Sequence, residues 1–194
     1  VMGMYPGDPG APGGDFAGVV VAISDEREDG ESNGLKTGDE VFGMAHGALR
    51  SYTITDARLI APKPSSWTCE QASAMPVVWA TVWSAFEDCM VLRPNHRVLI
   101  HAATGGVGLT AVRYASSTGA EVYATVGPKF GSDDARSNIG VAADRLCCML
   151  HDEVALQEWV HSRTTRDGPL EVILDCTSMS TEVFPLVGHE WSSA

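Results

Sequence analysis

The sequence predicts an α/β chain, in which a β-rich stretch is followed by strands that alternate with helices. Short apolar runs at about ten-residue spacing in the first part of the chain indicate the β-rich stretch. Two later runs, Val98–Ile100 and Glu121–Val126, are typical of buried parallel strands. Between them, Val107, Ala111 and Ala115 recur at the four-residue spacing of a helix.

The N-terminal stretch contains three candidate strands. Val1–Gly14 is rich in glycine and proline, which favours a loop. Phe16–Ile23 predicts a strand, Gly34–Gly43 predicts a turn leading into a short strand, and Ser51–Ile60 predicts another strand. The acid-rich segment Ser24–Gly34 is predicted to be a solvated turn. Short strands at this spacing are typical of a small barrel or sandwich.

A helical region comes next. Either Ser66 or Thr68 is a suitable N-cap for a helix that starts near Glu70. Pro76 interrupts the pattern, because proline ends or kinks a helix. The segment Trp79–Met90 then resumes helical spacing.

A glycine-rich turn joins the first parallel strand to the helix after it. Glycines at such a turn leave the backbone N–H groups and the positive helix N-terminus open to a pyrophosphate. The turn therefore predicts a dinucleotide site, and the alternative is a tight strand–helix turn with no ligand. The candidate cofactor-binding residues of this turn are Ala103, Thr104, Gly105, Gly106, Val107 and Gly108. Gly119 is the predicted C-cap of the helix.

The remainder of the chain adds one clear strand, Val172–Asp175, and one candidate strand, Arg145–Met149. Val154–His161 is predicted to be helical. Three clear strands make only half of a doubly wound sheet of about six strands. The sequence is therefore interpreted as truncated at both ends, with one sheet edge left exposed.

Composition disfavours several classes of function. The net charge of −12 argues against nonspecific binding to nucleic acid or to an anionic membrane surface. There is no apolar run of about 18 residues, so no transmembrane segment is predicted, and no signal peptide is recognised. Five cysteines without a C-x-x-C pair indicate reduced, intracellular thiols and no structural zinc site.

Several motifs converge on one superfamily. Gly34–Gly43 (GLKTGDEVFG) followed by His101–Gly108 (HAATGGVG) resembles the medium-chain dehydrogenase/reductase superfamily. Four further motifs narrow the resemblance: Met4–Gly7 (MYPG), Ala17–Val20 (AGVV), Asp56–Leu59 (DARL) and Pro76–Val78 (PVV). Together they resemble the enoyl reductase domain of a modular type I polyketide synthase. The similarity runs from Val1 to about Ser178.

This resemblance implies a partial GroES-like, β-rich substrate domain over residues 1–75 and an incomplete Rossmann domain over residues 76–194. It implies NADPH as the cofactor and no metal. The implied substrate is an α,β-unsaturated thioester on an acyl carrier protein, which receives hydride at its β-carbon and a proton at its α-carbon. The implied setting is a cytoplasmic multienzyme, with neighbouring synthase domains as partners and no nucleic acid or membrane.

The expected absence of metal also has a local basis. The zinc alcohol dehydrogenases of the same superfamily carry a Gly-His-Glu ligand motif just before the first strand. Here Gly13-Gly14-Asp15 stands at that place. The tripeptide Gly188-His189-Glu190 lies elsewhere, among residues that carry no other motif, and is interpreted as coincidence.

Three further residues have a functional and a structural interpretation. The resemblance places Thr81 near the nicotinamide, and the alternative is a helix hydroxyl bonded within its own helix. His101 ends the first parallel strand, where it either touches the cofactor or packs the strand end. Lys129 follows the second strand, and no acid occupies the end of that strand where NAD-specific folds bind the ribose hydroxyls. Lys129 therefore either meets the 2′-phosphate of NADPH or is a solvated surface lysine.

No residue of the chain can be assigned as a catalytic acid. The resemblance places the family's usual proton donors upstream of Met4 and beyond the next Rossmann strand, outside Val1–Ala194. We therefore expect residues 1–194 alone to be inactive. The alternatives are a free-standing quinone oxidoreductase and a non-catalytic remnant that still binds cofactor.

Overall fold

The computed structural model describes residues 8, 10–24, 34–127, 139–148 and 153–176. The chain divides into two compact units, Val1–Ala80 and Thr81–Ala194. This division lies a few residues beyond the boundary expected from the sequence. The assignment of one unit to substrate and the other to cofactor stays a prediction.

An antiparallel three-stranded sheet organises the first unit, in the order β1-β2-β3. Its strands are β1 (Asp15–Val19), β2 (Glu40–Met44) and β3 (Ile60–Pro62). β1 covers the first half of the strand predicted at Phe16–Ile23, and its pairing with β2 brings Ala17 opposite Phe42. The predicted β-rich character of this part of the chain is confirmed.

The strand predicted over Ser51–Ile60 is wrong for most of its length. A 3₁₀ helix occupies Ala57–Leu59, because the Asp56 side chain accepts a hydrogen bond from the Arg58 N–H at 2.8 Å. Ile54, in the middle of the predicted strand, is 97% exposed. The extended pairing therefore begins only at Ile60.

The helical region that follows is divided at Pro76, as expected. Thr68, one of the two predicted caps, closes a capping box with Gln71 at the start of α1 (Cys69–Ser73). α2 (Pro76–Trp83) begins at Pro76 itself, the helix position that tolerates proline best. A π-helix, Ser84–Cys89, follows where the sequence predicted a continuous α-helix.

A parallel sheet forms the second unit, in the order β6-β5-β4-β7. Its elements are β4 (Arg97–His101), α3 (Gly106–Ser117), β5 (Glu121–Thr125), β6 (Leu146–Cys147), α4 (Glu153–Asp167) and β7 (Val172–Asp175). The three clear strands expected from the sequence are confirmed. The candidate strand Arg145–Met149 is reduced to the two residues of β6, and Met149 lies outside the described residues.

Both faces of this sheet are covered by helices. On one face, Val98 and Ile100 of β4 pack with Ala111 and Val112 of α3. On the other face, Leu99 packs with residues of α4. Each fully buried aliphatic side chain of this kind contributes about 1.5–3 kcal/mol relative to exposure. This double burial explains why β4 is apolar at consecutive positions.

In the part of the chain that the structure describes, no helix combines the length and the apolar character needed to cross a bilayer.

Candidate functional site

The glycine-rich turn lies between the end of β4 and the start of α3. Ala102 has a left-handed backbone with φ of +57°, a conformation that costs a non-glycine residue about 1–2 kcal/mol. Two hydrogen bonds hold it in place. The Ala102 N–H donates to Thr125 Oγ1 at 3.1 Å, and the Ala103 N–H donates to the Thr125 carbonyl at 2.9 Å. The turn is therefore attached to the end of the neighbouring strand β5.

The glycines of the turn differ in what requires them. A Cβ on Gly108 would lie 2.4 Å from the Ala102 carbonyl oxygen and 2.8 Å from Ala103 Cα, so the close packing of α3 on the turn excludes a side chain. Among the described residues, a Cβ on Gly105 would meet only the Ala102 carbonyl oxygen, at an ordinary 3.5 Å. Gly105 also has φ of −73° and ψ of 166°, which any residue adopts. The fold thus requires glycine at 108 and does not require it at 105.

The start of α3 is suited to an anion. Gly105 is the N-cap, and it has no side chain that could accept a hydrogen bond from the first turn of this twelve-residue helix. Gly105 and Gly106 are exposed, Thr104 and Val107 are half-buried, and Ala103 is buried. Unpaired N–H groups and the positive end of a helix dipole meet at this surface. The residues present therefore fit a pyrophosphate.

Thr81 and Lys129 are not shown in contact with this turn. Thr81 is exposed on α2. Its neighbour Val82 is fully buried in the same apolar cluster as Ala103, so this part of α2 and the turn share a core. Lys129 lies outside the described residues, and so does the Gly188–Glu190 tripeptide.

His101 is a buried strand-end residue, which supports the packing interpretation over direct contact with a cofactor. Its side chain is 2% exposed, and its Nδ1 lies 2.6 Å from Thr125 Oγ1. Thr125 is itself fully buried. No local sequence signal predicts this role of Thr125, because its partners lie more than twenty positions earlier in the chain.

Asp15, which stands where the zinc enzymes carry a ligand, has a structural partner. Its Oδ1 accepts a hydrogen bond from the Val77 N–H at 2.7 Å, in the first turn of α2. A carboxylate at a helix N-terminus satisfies one of the N–H groups that the helix leaves unpaired. No local sequence signal predicts this contact, because the two residues are 62 positions apart.

An aromatic cluster joins the π-helix to α3. The ring of Tyr114 stacks on Phe86 with centroids 5.9 Å apart, and Trp83 meets the same ring edge-on at 6.3 Å. The Tyr114 hydroxyl donates to the Glu87 carboxylate. This hydrogen bond, together with burial and the charge of Glu87, raises the pKa of Tyr114 to about 12. No local sequence signal predicts this pair, because the two residues are 27 positions apart.

An antiparallel β unit followed by a parallel sheet with this turn is the architecture of the medium-chain dehydrogenase/reductase fold. Solved structures with this fold superpose on most of the chain. The CurK enoyl reductase covers 92% of the chain at a TM-score of 0.76 and 25% identity. The Escherichia coli quinone oxidoreductase complexed with NADPH covers 89% at a TM-score of 0.69 and 27% identity. The chain in turn covers 50% of each of these structures.

The curated relatives are modular type I polyketide synthases. Polyketide synthase GfsB of Streptomyces halstedii is 44% identical over 127 residues, which is 66% of this chain and 2% of that protein. The spectinabilin polyketide synthase system protein NorB of Streptomyces orinoci is 46% identical over 121 residues, which is 62% of this chain and 5% of that protein. No family model matches the chain. The resemblance to polyketide synthases and to enoyl reductases, and the fold class it implied, are confirmed.

Proposed function

We propose that this chain is the nucleotide-binding part of an NADPH-dependent, zinc-independent enoyl reductase within a cytoplasmic polyketide synthase. Its substrate would be an α,β-unsaturated acyl thioester on an acyl carrier protein. The identity to polyketide synthases supports the setting, and the likeness to the CurK enoyl reductase supports the reaction class.

The observation that carries the proposal is that the fold does not require the glycine at position 105. Neither its backbone conformation nor its protein neighbours require a glycine there, unlike Gly108. A small residue at an exposed helix N-terminus leaves room for something outside the chain to reach the backbone N–H groups. This favours a ligand at the turn over a purely structural turn, and a pyrophosphate matches the charge and shape offered.

The nicotinamide, when bound, supplies the hydride for the β-carbon. The chain's own contribution is to bind and orient the nucleotide. The turn Ala103–Gly108 would hold the pyrophosphate, and Thr81, by its resemblance, would lie near the nicotinamide. We assign no catalytic acid to this chain.

The preference for NADPH over NADH rests on the end of β5. From Val122 to Gly127 the sequence has no acid to bind ribose hydroxyls, and Lys129 follows with a positive charge. A charge-assisted contact to the 2′-phosphate contributes about 1.5–3 kcal/mol, or roughly tenfold or more in affinity. Titration by nucleotide fluorescence should therefore give the lower Kd for NADPH. Equal affinities, or an unchanged preference in Lys129→Glu, would remove this assignment.

A matched pair of glycine variants tests nucleotide binding at the turn. Gly105→Ala should fold and should raise the Kd for NADPH by about tenfold, because the added methyl group opposes close approach to the backbone. Gly18→Ala is the control. Gly18 lies in the first unit, and a Cβ at this position would have no atom of the described residues within 4 Å. If both variants bind as tightly as the parent chain, the turn is structural only.

Substrate assays separate the remaining alternatives. The likeness to the Escherichia coli quinone oxidoreductase keeps quinone reduction as a second candidate. NADPH oxidation by the parent synthase module with a crotonyl thioester, and not with a quinone, is the expected result. We also propose that the 194-residue chain alone binds NADPH without turnover, since it spans about half the length of the solved reductases. A parent module that binds NADPH and reduces neither substrate would indicate a non-catalytic remnant.

A further inference from the structure

A row of four side chains, three of them polar, crosses the carboxyl edge of the parallel sheet. Thr125 at the end of β5 is the register partner of Cys147 on β6, and His101 at the end of β4 is the partner of Asp175 on β7. In the pairing of β4 with β5, Ala124 lies opposite Ile100. The next residues along these two strands, Thr125 and His101, are therefore neighbours at the end of the sheet. The four residues in strand order are Cys147, Thr125, His101 and Asp175.

This row interrupts an apolar face. Two residues earlier, the same face of the sheet carries Leu99 and Tyr123, which pack in the cluster under α4. Two of the four, Thr125 and His101, are polar side chains that are at least 98% buried. Cys147 instead packs in the apolar cluster with Leu99 and Tyr123. Burying a hydroxyl and an imidazole costs free energy unless both are hydrogen-bonded, so the row needs a reason beyond packing.

Thr125 is the centre of the hydrogen bonds in this row. A backbone N–H can only donate, so Thr125 Oγ1 is the acceptor from the Ala102 N–H at 3.1 Å. The hydroxyl proton is then available to Nδ1 of His101, 2.6 Å away. The carbonyl of the same threonine accepts from the Ala103 N–H at 2.9 Å. One residue thus fixes two consecutive amides of the turn.

We propose that Thr125 and His101 are positioning residues that hold the phosphate turn in the conformation required for pyrophosphate binding. The proposal rests on the nucleotide-binding function proposed above. Thr125 holds Ala102 in its left-handed conformation, and His101 fixes the rotamer of the Thr125 hydroxyl. Neither side chain touches the ligand, because both are buried beneath the turn.

The physical argument concerns the left-handed residue. Without the Thr125 hydroxyl, the Ala102 N–H loses its acceptor, and an alanine at φ of +57° gains by rotating to negative φ. Such a rotation would re-aim the peptide groups that follow, including those leading into α3. The effect on ligand affinity is therefore expected at the pyrophosphate and not at the adenosine end of the nucleotide.

Four variants and two ligands test this inference. Thr125→Val removes the hydroxyl at nearly constant volume, and Thr125→Ser keeps it. His101→Phe removes the partner nitrogen, and His101→Asn keeps a polar atom near its position. Each is titrated with NADPH and with adenosine 2′-monophosphate, which has the ribose phosphate but no pyrophosphate, and each thermal midpoint is recorded.

We expect Thr125→Val and His101→Phe to raise the Kd for NADPH by about tenfold, with the Kd for adenosine 2′-monophosphate unchanged. Thr125→Ser and His101→Asn should retain most of the NADPH affinity. If Thr125→Val does not fold, the two histidine variants test the inference by the same comparison of the Kd for NADPH with the Kd for adenosine 2′-monophosphate. Equal loss for both ligands, or no loss for either, overturns the inference. A parent chain that binds neither ligand refutes the proposed function and the inference with it.

Discussion

The two units of the chain bury their apolar side chains very differently. Among the described residues of the first unit, the buried apolar ones are Val41, Ala45, Ala48 and Ala72. The second unit buries whole strands, with Val98, Leu99 and Ile100 completely inaccessible. More large apolar residues are exposed in the described part of the first unit than in that of the second. In the first unit they are Val19, Val21, Ile23, Leu49, Tyr52, Ile54, Leu59, Val77 and Trp79. In the second unit they are Trp83, Val91 and Val154.

The contrast follows from sheet type. A parallel sheet joined by helices is covered on both faces, so its strands lose nearly all contact with water. An antiparallel sheet needs only one covered face, and here small alanines do much of the covering. We therefore infer that the second unit contributes most of the free energy of unfolding of this chain.

Two matched valine substitutions compare the stability of the two units, and they have the largest expected effect of the variants proposed here. Val98→Ala should lower the free energy of unfolding by about 2–3 kcal/mol, since a tightly packed sheet cannot close the cavity. Val41→Ala should cost only about 1 kcal/mol, because its surroundings are less completely packed and can relax. Urea unfolding followed by circular dichroism measures both. Equal costs would contradict the inferred difference between the units.

The glycine turn allows a second comparison, within the second unit. Gly108→Ala should destabilise the chain by about 1–3 kcal/mol, because its Cβ would overlap the Ala102 carbonyl oxygen and backbone must shift. Gly105→Ala should cost less than about 1 kcal/mol, the penalty for alanine at an N-cap. Thermal unfolding of the two variants measures the two losses of stability under the same conditions. A larger loss for Gly105→Ala than for Gly108→Ala would contradict the conclusion that packing requires glycine at 108 and not at 105.

A third prediction concerns the first unit alone. Thr68→Ala removes the side chain that caps α1 and should cost about 1 kcal/mol, whereas Thr68→Ser should be close to neutral. Hydrogen exchange should be faster at the α1 amides of Thr68→Ala and unchanged at the β4 amides. Faster exchange in β4 as well would show that the two units unfold as one cooperative system.

The smallest effect on stability is expected at the Tyr114–Glu87 pair of the second unit. The folded-state pKa of Tyr114, about 12, lies above the unfolded value of 10.0. The pair therefore stabilises the fold fully below pH 10, and this contribution is lost as the pH rises through about 12. Ultraviolet titration of tyrosinate should show the high pKa disappear in Tyr114→Phe and fall towards 10 in Glu87→Gln. No change in Glu87→Gln would exclude the carboxylate as the cause.

Features encoded by neighbouring residues could be predicted from the sequence. The apolar run at Val98–Ile100 marks a strand whatever the tertiary context, and Thr68 with Gln71 marks a helix start. The glycine-rich stretch was expected between a strand and a helix for the same reason, although Gly106–Gly108 already belong to the first turn of α3. Their role as cofactor-binding residues stays a prediction. These signals depend on periodicity and capping, which are local.

Features set by distant residues could not be predicted. Ser51–Ile60 has the composition of a strand, yet Asp56 closes a 3₁₀ turn. In the described part of the chain, no strand pairs with this segment before Ile60. The role of Thr125 depends on a turn more than twenty positions earlier in the chain. The sequence pattern at Ala102 also gives no sign of its left-handed backbone, since alanine rarely adopts it.

The hydrogen bond from the Val77 N–H to Asp15 has a consequence for the order of folding. α1 carries its own cap in Thr68 and Gln71, so the hydrogen bonds at its start depend only on residues close in the sequence. The start of α2 depends on a strand 62 residues earlier, and closing so long a loop costs entropy before the bond can form. We expect the first turn of α2 to become stable only after β1 has paired with β2, which makes it a late step in the folding of the first unit.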